Sequence, residues 1–299
     1  MSLKPQYCGR FAPSPTGALH AGSLATALGS WLDARAHQGK WLLRIEDLDL
    51  PRCVPGADKI IIQQLLNCGL HWDGEIEYQS KRSHFYESAL NQLLQEKKAY
   101  GCRCTRKQIE DQLLSLGKKK DRHGELVYPG SCRNLKEVTE PCAWRLLVTD
   151  SEVESSVGDF VLKRSDRVFT YQLAVVVDDY LQGITHIVRG EDLLDNTARQ
   201  IYLQKQLNYP QPHYLHLPLV RDDNNEKLSK QTNATASACN TPEEALEALQ
   251  AAARHLGLDE PELFKQGSDS TQFSESTIHE STITQWLEIA VEYYRKTRL

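Results

Sequence analysis

Two short stretches of this chain carry side chains that suit phosphate chemistry. In the first, Gly17-Ala18-Leu19-His20-Ala21-Gly22-Ser23, His20 can donate to phosphate oxygens and Gly22 lets a ligand approach the backbone. This stretch opens a predicted helix, and the N–H groups at a helix start bind anions readily. The second, Lys227-Leu228-Ser229-Lys230-Gln231, offers two lysines in a polar loop. Taken separately, a structural helix start and a solvated charged loop would explain them, and the P-loop and dinucleotide glycine signatures are both absent.

The elements around the first stretch predict an α/β fold. Tyr7-Cys8-Gly9-Arg10-Phe11 is a candidate strand, a helix is expected from about Leu19 to Ala36, and Trp41-Leu42-Leu43-Arg44-Ile45-Glu46 is a second, almost entirely apolar strand. Strand, helix and strand in this order predict two parallel strands joined by a right-handed crossover. Further elements are predicted as helices at about 57–69, 82–98, 170–180 and 193–207, and as strands at 143–148, 185–189 and 214–219.

Two stretches depart from this α/β pattern. Residues 101–135 are rich in cysteine, lysine and turn formers, and we expect an inserted module at about 100–136. Thr241-Pro242-Glu243-Glu244 combines an N-cap, a proline and two first-turn acids, which is a strong helix start. We therefore predict a catalytic-type domain over 1–236 and a small helical domain over 237–299.

Three of the eight cysteines are spaced as candidate metal ligands. Cys102 and Cys104 are separated by one residue, and Cys132 follows at the end of the same basic stretch. Structural zinc takes four ligands, usually Cys or His, and composition alone nominates His123 as the fourth. Bound zinc would fold this small module and direct its lysines toward RNA, whereas the alternative is three free thiols. The other cysteines are interpreted as reduced, structural thiols: Cys8, Cys53, Cys68, Cys142 and Cys239.

The charge distribution favours a local rather than a general affinity for polyanions. The formal net charge is −5, which argues against a sequence-independent nucleic-acid binder. Residues 97–136 hold eleven Lys or Arg against four acids, whereas 237–299 hold five against eleven, so a polyanion would prefer the middle of the chain. No apolar run approaches the length of a membrane span, and Met1-Ser2-Leu3-Lys4 lacks the apolar run of a secretory signal. We expect a cytoplasmic protein without a membrane partner.

Considered together, the two phosphate-type stretches resemble the signature motifs of class I aminoacyl-tRNA synthetases in their glutamyl form. Pro13-Ser14-Pro15-Thr16-Gly17 running into His20-Ala21-Gly22-Ser23 resembles the HIGH motif, and Lys227 to Gln231 resembles KMSKS. Three further segments agree with glutamyl enzymes, in order: Arg44-Ile45-Glu46-Asp47-Leu48-Asp49, Gly69-Leu70-His71-Trp72-Asp73, and residues 178–192. The resemblance covers about residues 7–231.

This resemblance implies a Rossmann-type class I synthetase catalytic domain with an inserted zinc-containing acceptor-type subdomain and a small C-terminal helical domain. It also implies that ATP, with Mg²⁺, activates glutamate as its adenylate, with His20 and Lys230 as the catalytic residues. Two positions depart from the motifs: Ser23 stands where many members have a second histidine, and Gln231 replaces the final serine of KMSKS.

The resemblance assigns binding roles as well. The implied glutamate pocket consists of Arg10, Phe11, Ala12, Pro13, Ser14, Glu46, Tyr171 and Arg189. The implied ATP site consists of His20, Gly22, Ser23, Asp192, Lys227, Ser229 and Lys230. The implied zinc ligands are Cys102, Cys104, Tyr128 and Cys132. The chemistry agrees, because arginines bind carboxylates in a bidentate manner and Glu46 can pair with an ammonium group. Without the motif context, Glu46 would be interpreted as a surface acid and Arg189 as part of an ordinary ion pair.

The length of the stretch after the last motif indicates which group on the tRNA receives the glutamate. Only some sixty residues follow it, whereas glutamyl-tRNA synthetases carry a large helical anticodon-binding region there, and this layout resembles the glutamyl-queuosine tRNA(Asp) synthetases. That family implies transfer of glutamate to the queuosine base in the anticodon loop of tRNA(Asp), and we expect a monomer. Two alternatives remain: a shortened glutamyl-tRNA synthetase that charges a tRNA 3′ end, and a synthetase-derived tRNA-binding protein without catalysis.

Overall fold

The computed structural model describes residues 6–117, 127–135, 138–220, 236–264 and 280–299. The chain divides into two compact units. The first consists of Met1–Gln79, Gly183–Leu194 and Pro212–Leu299, and the second of Ser80–Gln182 and Asp195–Gln211. None of the helices in the described ranges has the length and apolar character that a membrane span requires.

The order of the elements along the chain is as follows. The strands are β1 (Cys8–Phe11), β2 (Lys40–Ile45), β3 (Glu77–Tyr78), β4 (Ala99–Cys102), β5 (Ala143–Leu146), β6 (Val161–Lys163), β7 (His186–Gly190) and β8 (His213–Leu217). The helices are α1 (Ala21–Ala36), α2 (Ala57–Asn67), α3 (Ser83–Gln95), α4 (Arg106–Ser115), α5 (Ser151–Ser156), α6 (Tyr171–Leu181), α7 (Leu194–Leu207), α8 (Pro242–His255) and α9 (Glu280–Arg298).

Parallel strands form the centre of the first unit, which confirms the predicted α/β fold. Strand β2 pairs in parallel with both β1 and β3, and β7 pairs in parallel with β8. The N–H of Thr185 donates to the carbonyl of Cys8 at 2.9 Å, so β7 begins beside β1. The carboxyl ends of these strands therefore lie at one edge, which is where open parallel sheets bind ligands.

Helix α1 is covered on nearly every side, because most of its residues are apolar and buried. Its side chains share one hydrophobic core with the sheet and with Leu249 of α8 and Trp286 of α9. A β-carbon on Gly29 would lie 2.7 Å from Leu217 Cδ1, so glycine at this position lets α1 pack against Leu217 without displacing that side chain. Helices α8 and α9 belong to the stretch 237–299 for which we predict a helical domain, and they pack on α1 within the first unit.

The second unit contains an antiparallel sheet rather than a continuation of the parallel one. Strand β5 pairs with β4 on one side and β6 on the other, both in the antiparallel direction. Residues 143–148 are thus partly strand as predicted, but their partner β4 was not predicted from the sequence. The basic, cysteine-rich stretch connects β4 to β5. Within this unit the buried Asp178 carboxylate accepts from Arg82 Nε at 2.6 Å and from the Tyr86 hydroxyl at 2.7 Å.

Candidate active site and cysteine cluster

The histidine predicted to bind phosphate caps helix α1 in this structure. Nδ1 of His20 accepts from the N–H of Gly22 at 3.1 Å and of Ser23 at 3.4 Å, and the His20 N–H donates to Ser23 Oγ at 2.8 Å. This is a reciprocal capping box with histidine in the place usually taken by Ser or Thr. Because Nδ1 accepts, the neutral imidazole carries its proton on Nε2. His20 therefore has an N–H donor on the side of the ring away from the cap.

Position 22 is crowded by the His20 ring that caps the helix. A β-carbon there would lie 3.2 Å from His20 Cε1 and 3.8 Å from Val220 Cβ. The sequence predicted that the Gly22 backbone is open to a ligand, but its N–H is engaged by the His20 ring. The ATP-binding roles of Gly22 and Ser23 stay predictions.

The described residues on either side of 221–235 both lie near the start of α1. Val220 approaches Gly22, and Ala236 forms an antiparallel bridge with His20. Gln64 links the residues before α1 to those after 221–235. Its side chain accepts from the Leu19 N–H at 2.7 Å and donates to the Ser237 carbonyl at 3.0 Å. The predicted Lys227, Ser229 and Lys230 lie outside the described residues, as does His123.

Charged side chains gather at the carboxyl edge of the parallel strands. Arg10 lies near the end of β1 and is 4% exposed, and Arg189 lies near the end of β7 and is 3% exposed. Glu46 directly follows β2 and accepts from Arg44 Nη2 at 3.4 Å, with both side chains largely buried. Guanidinium groups grip carboxylates and phosphates in a bidentate manner, so this edge suits an anionic ligand that also carries a cationic group for Glu46.

The surroundings of Arg189 contain functional candidates that the sequence analysis did not single out. Arg189 Nε donates to His216 Nε2 at 3.4 Å, Nη2 donates to the Leu193 carbonyl at 3.3 Å, and the guanidinium lies 5.1 Å from the centre of the Tyr214 ring. Burial and the nearby Arg189 charge lower the pKa of His216, which keeps it neutral as an acceptor. The alternation of Tyr214 and His216 along β8 is a sequence signal for a shared face, but the strand partner was unknown.

The loop between β1 and α1 is held against the end of β2. The Glu46 N–H donates to the Pro13 carbonyl at 3.0 Å, and the Val54 N–H donates to the Pro15 carbonyl at 2.9 Å. The first bond places the backbone of Pro13 beside Glu46. Phe11 is buried and Ser14 is exposed. The predicted glutamate-binding roles of Phe11, Ala12, Pro13 and Ser14 stay predictions.

Two further predicted site residues lie elsewhere on the chain. Asp192 follows β7 in a short 3-10 turn, and a β-carbon on Gly190 would lie 2.5 Å from its Oδ1, so a larger residue at position 190 would displace the Asp192 carboxylate. Tyr171 is half-buried and is the first residue of α6, in the second unit. Their contributions to ATP and glutamate binding stay predictions.

Four side-chain atoms in the second unit converge as a candidate metal site. The sulfurs of Cys102, Cys104 and Cys132 all lie within 4.8 Å of one another, and those of Cys104 and Cys132 are 3.5 Å apart. The Tyr128 hydroxyl lies 3.3 Å from the Cys102 sulfur and 3.4 Å from the Cys104 sulfur. In a tetrahedral zinc site, sulfurs are about 3.8 Å apart and a phenolate oxygen about 3.6 Å from each sulfur. The donor atoms and their spacing therefore fit a tetrahedral divalent metal.

Tyr128 is held in this group by its neighbours. It forms a parallel bridge with Gly158, whose φ of +65° and lack of side chain let the chain pass close to Tyr128. The Arg145 guanidinium lies 4.0 Å from the centre of the Tyr128 ring. The hydroxyl also accepts from the Cys132 N–H at 3.0 Å. These contacts fix the ring so that its oxygen completes the group of three sulfurs.

Comparison with known proteins identifies the family. Residues 8–285 match the family described as tRNA synthetases class I (E and Q), catalytic domain. The chain is 53% identical to the glutamyl-Q tRNA(Asp) synthetase of Albidiferax ferrireducens, over 85% of this chain and 93% of that protein. It is 54% identical to the enzyme of the same name from Burkholderia orbicola, over 86% of this chain and 90% of that protein.

A solved structure agrees with the sequence comparisons. The glutamate tRNA ligase of Elizabethkingia meningosepticum, in complex with its amino acid, superposes with a TM-score of 0.64 at 28% identity, over 76% of this chain. The superposed part spans 52% of that ligase, so about half of it has no counterpart in the match. The chain belongs to the class I tRNA synthetases of the E and Q group and, within them, to the family of the glutamyl-Q tRNA(Asp) synthetases.

Proposed function

We propose that this protein activates glutamate with ATP as glutamyl-adenylate and transfers the glutamyl group to the queuosine base in the anticodon loop of tRNA(Asp). The observation that carries this proposal is the strand edge of the first unit, where buried Arg10 and Arg189 lie near strand ends and Glu46 follows β2. This strand edge belongs to a chain whose relatives at 50–54% identity are named for that activity.

Glutamate has the charges that this edge would recognise. Its two carboxylates suit guanidinium groups, and we assign Arg10 and Arg189 to them. Its ammonium group suits a buried carboxylate, and we assign Glu46 to that role. The neutral His216 and the Tyr214 ring hold Arg189 in one orientation, which reduces the side-chain entropy lost on binding. Phe11 to Ser14 would close the pocket next to Glu46.

The first chemical step is a displacement at phosphorus. An oxygen of the glutamate α-carboxylate forms a bond to the α-phosphorus of ATP, the bond to the bridging oxygen breaks, and pyrophosphate leaves with its electron pair. The protein need not form a covalent bond, so catalysis is positioning and stabilisation of charge. We assign phosphate contacts to His20 Nε2–H and to Lys230, with Lys227, Ser229 and Asp192 as further contributors to the ATP site. ATP is taken to act as its Mg²⁺ complex.

Chain connectivity supports a joint role for the two motifs. Lys230 is six residues before Ala236 in the sequence, and Ala236 is bridged to His20. The described residues on both sides of the second motif therefore lie at the α1 terminus. In the second step the glutamyl carbonyl is attacked by the queuosine acceptor and AMP leaves.

We further propose that Cys102, Cys104, Cys132 and Tyr128 hold a structural Zn²⁺. When bound, the ion would supply folding free energy to a small cluster that otherwise consists of few apolar residues. The exposed basic side chains described in this module include Arg103, Arg106 and Lys107, and a fixed fold would present such charges to the tRNA backbone. Tyr128 rather than His123 is assigned as the fourth ligand because of its contacts with the sulfurs.

One assay separates this proposal from its alternatives. The protein is incubated with ATP, labelled glutamate and tRNA(Asp) that contains or lacks queuosine. Before the reaction, the 3′ end is blocked, either by periodate with queuosine protected from the same oxidation or by enzymatic removal of the 3′ nucleotide. We expect labelling that requires queuosine and survives this block of the 3′ end. Labelling lost when the 3′ end is blocked would identify 3′-end charging.

The third possibility, a tRNA-binding protein without catalysis, is tested by glutamate-dependent exchange of pyrophosphate into ATP. Exchange without tRNA, or with the cognate tRNA added, supports activation. Absence of exchange under both conditions, with tRNA binding intact, would reject the enzymatic proposal.

A further inference from the structure

Two cysteines that are distant in sequence meet in the first unit, away from the cysteine cluster. Cys68 follows the last residue of α2, and Cys239 lies shortly before α8. Their sulfurs are 3.6 Å apart, and the residues are 0% and 2% exposed. From the sequence both are interpreted as structural thiols, and nothing in their spacing indicates that they meet.

The backbones on both sides of this thiol pair are tied together. Asn67 Nδ2 donates to the Cys239 carbonyl at 2.6 Å, and Gln64 Nε2 donates to the Ser237 carbonyl at 3.0 Å. These bonds hold one turn of α2 against residues 237–239. A disulfide bond is about 2.05 Å long, so the sulfurs must approach by about 1.5 Å. Side-chain rotation and a small backbone shift supply such a movement without separating the two segments.

We propose that Cys68 and Cys239 form a site of oxidative modification, at which a peroxide converts the two thiols into an intramolecular disulfide. The Cys239 thiolate attacks one peroxide oxygen, the O–O bond breaks, and a sulfenic acid and hydroxide form. The Cys68 sulfur then attacks the Cys239 sulfur, the S–O bond breaks, and the oxygen leaves as water. In total, two thiols and one hydrogen peroxide give one disulfide and two waters, with sulfur oxidised and peroxide oxygen reduced.

The order of the two cysteines follows from their hydrogen bond. The Cys68 S–H donates to the Cys239 sulfur, and this bond lowers the pKa of Cys239. Cys239 is therefore the sulfur that reacts first, and Cys68 is already in contact with it as the resolving thiol. Because both residues are buried, reaction requires local opening of the segment at 236–240 and is expected over hours rather than seconds.

The disulfide would fasten the chain directly after residues 221–235. Ala236 and Ser237 already bind the start of α1 through the His20 bridge and the Leu19 carbonyl. A bond at Cys239 would connect this anchor covalently to α2. The loop closed by residues 68 and 239 is long, so the link is expected to raise the midpoint of thermal unfolding by several degrees. This inference does not depend on the proposed enzymatic activity.

Tryptic mapping tests the proposal directly, since trypsin places each of the eight cysteines on a separate peptide. The folded full-length protein is treated with excess hydrogen peroxide, quenched, alkylated and digested without reductant. We expect residues 60–81 linked to residues 231–254, a fall in free thiols from eight to six, and a rise in the thermal midpoint that dithiothreitol reverses.

Matched variants separate this pair from the other thiols. Cys68→Ser and Cys239→Ser should each remove the linked peptide and the thermal shift, whereas Cys53→Ser, which changes a half-buried cysteine elsewhere in the same unit, should retain both. Three results would overturn the proposal. They are a linked peptide that joins other cysteines in place of this pair, irreversible oxidation of Cys239 without linkage, and formation of the bond only after the protein is unfolded in urea.

Discussion

His20 and Ala236 form an antiparallel bridge, and the adjacent Ser237 N–H donates to the Leu19 carbonyl at 2.8 Å. The first motif of the chain and the residues that follow the second are thereby joined at the start of α1. Val220, on the other side of the second motif, also approaches this helix start at Gly22. The described residues on both sides of the second motif therefore lie at the helix terminus that contains the first motif, although the two motifs are far apart in the sequence.

Substitutions at His20 can separate its capping role from its proposed catalytic role. Asparagine is a good N-cap but has no donor in the position of Nε2, so His20→Asn should keep the stability of α1 and still slow adenylate formation by about 10²–10³. His20→Ala should show the same loss of rate and also lower the free energy of unfolding by about 0.5–2 kcal/mol. Pyrophosphate exchange and urea unfolding measure the two effects. Equal activity in the wild type and His20→Asn would contradict the assigned phosphate contact.

The lysine of the second motif should affect the rate rather than glutamate binding. Lys230→Ala is expected to reduce glutamate-dependent pyrophosphate exchange by about 10²–10³, because a donor to the transition-state charge is lost. The Kd for glutamate, measured by calorimetry, should change little. Lys296→Ala serves as the control, since this exposed lysine lies at the far end of α9. A parallel loss of glutamate affinity in Lys230→Ala would show that the loop acts on binding.

Arg189→Lys should weaken glutamate binding although it keeps the positive charge. Lysine cannot reproduce the bidentate geometry, nor the simultaneous contacts with His216 and the Leu193 carbonyl. A charged hydrogen bond contributes about 1.5–3 kcal/mol, so Kd should rise roughly ten- to one-hundredfold. Arg254→Lys, on the exposed face of α8, should bind glutamate normally. Unchanged affinity in Arg189→Lys would remove this residue from the proposed pocket.

The cysteine cluster should bind about one zinc ion per chain. Cys104→Ser and Tyr128→Phe each remove one donor and should lower the zinc content measured by atomic emission, along with the thermal midpoint. Cys142→Ser changes a buried cysteine of the same unit outside the three-sulfur group and should retain the metal. Full zinc occupancy in Tyr128→Phe would show that the phenol is not a ligand.

Mild acid should destabilise the first unit through a stack of aromatic rings. The His186 ring lies 4.1 Å from the Tyr7 ring and 4.8 Å from the His213 ring, measured between centroids. Burial, His213 and His37 lower the pKa of His186, and the nearby Asp33 opposes them. The folded state therefore binds fewer protons than the unfolded state below the ordinary value of 6.5.

The contribution of His186 to the free energy of unfolding is full above pH 6.5 and falls below it, by at most about 1.4 kcal/mol per pH unit. Urea unfolding between pH 5.5 and 7.5 measures this slope. His186→Phe keeps a flat ring without a titrating group and should flatten the slope. An unchanged slope in this variant would assign the acid sensitivity to other groups.

Local patterns in the sequence were sufficient for several of the elements, among them α1, α8 and β2, and for the motifs. The periodicity around Leu24, Leu28 and Leu32 predicts α1 to within two residues of its start, and Thr241 indeed caps α8. The apolar run in β2 predicts a parallel, buried strand. These features depend on short-range sterics, capping and periodic burial, and each can be read within about twenty residues. The residues that indicate the chemistry likewise lie within short motifs.

Only the tertiary structure decided which distant residues meet. The pairing of Arg189 with His216, the bridge from His20 to Ala236 and the contact between Cys68 and Cys239 join positions that carry no mutual signal in one sequence. The sequence likewise carries no signal for the antiparallel partner of β5 or for the packing of α8 and α9 on α1. The physical reason is that strand register and helix packing are selected by burial of the whole core, which no local window contains.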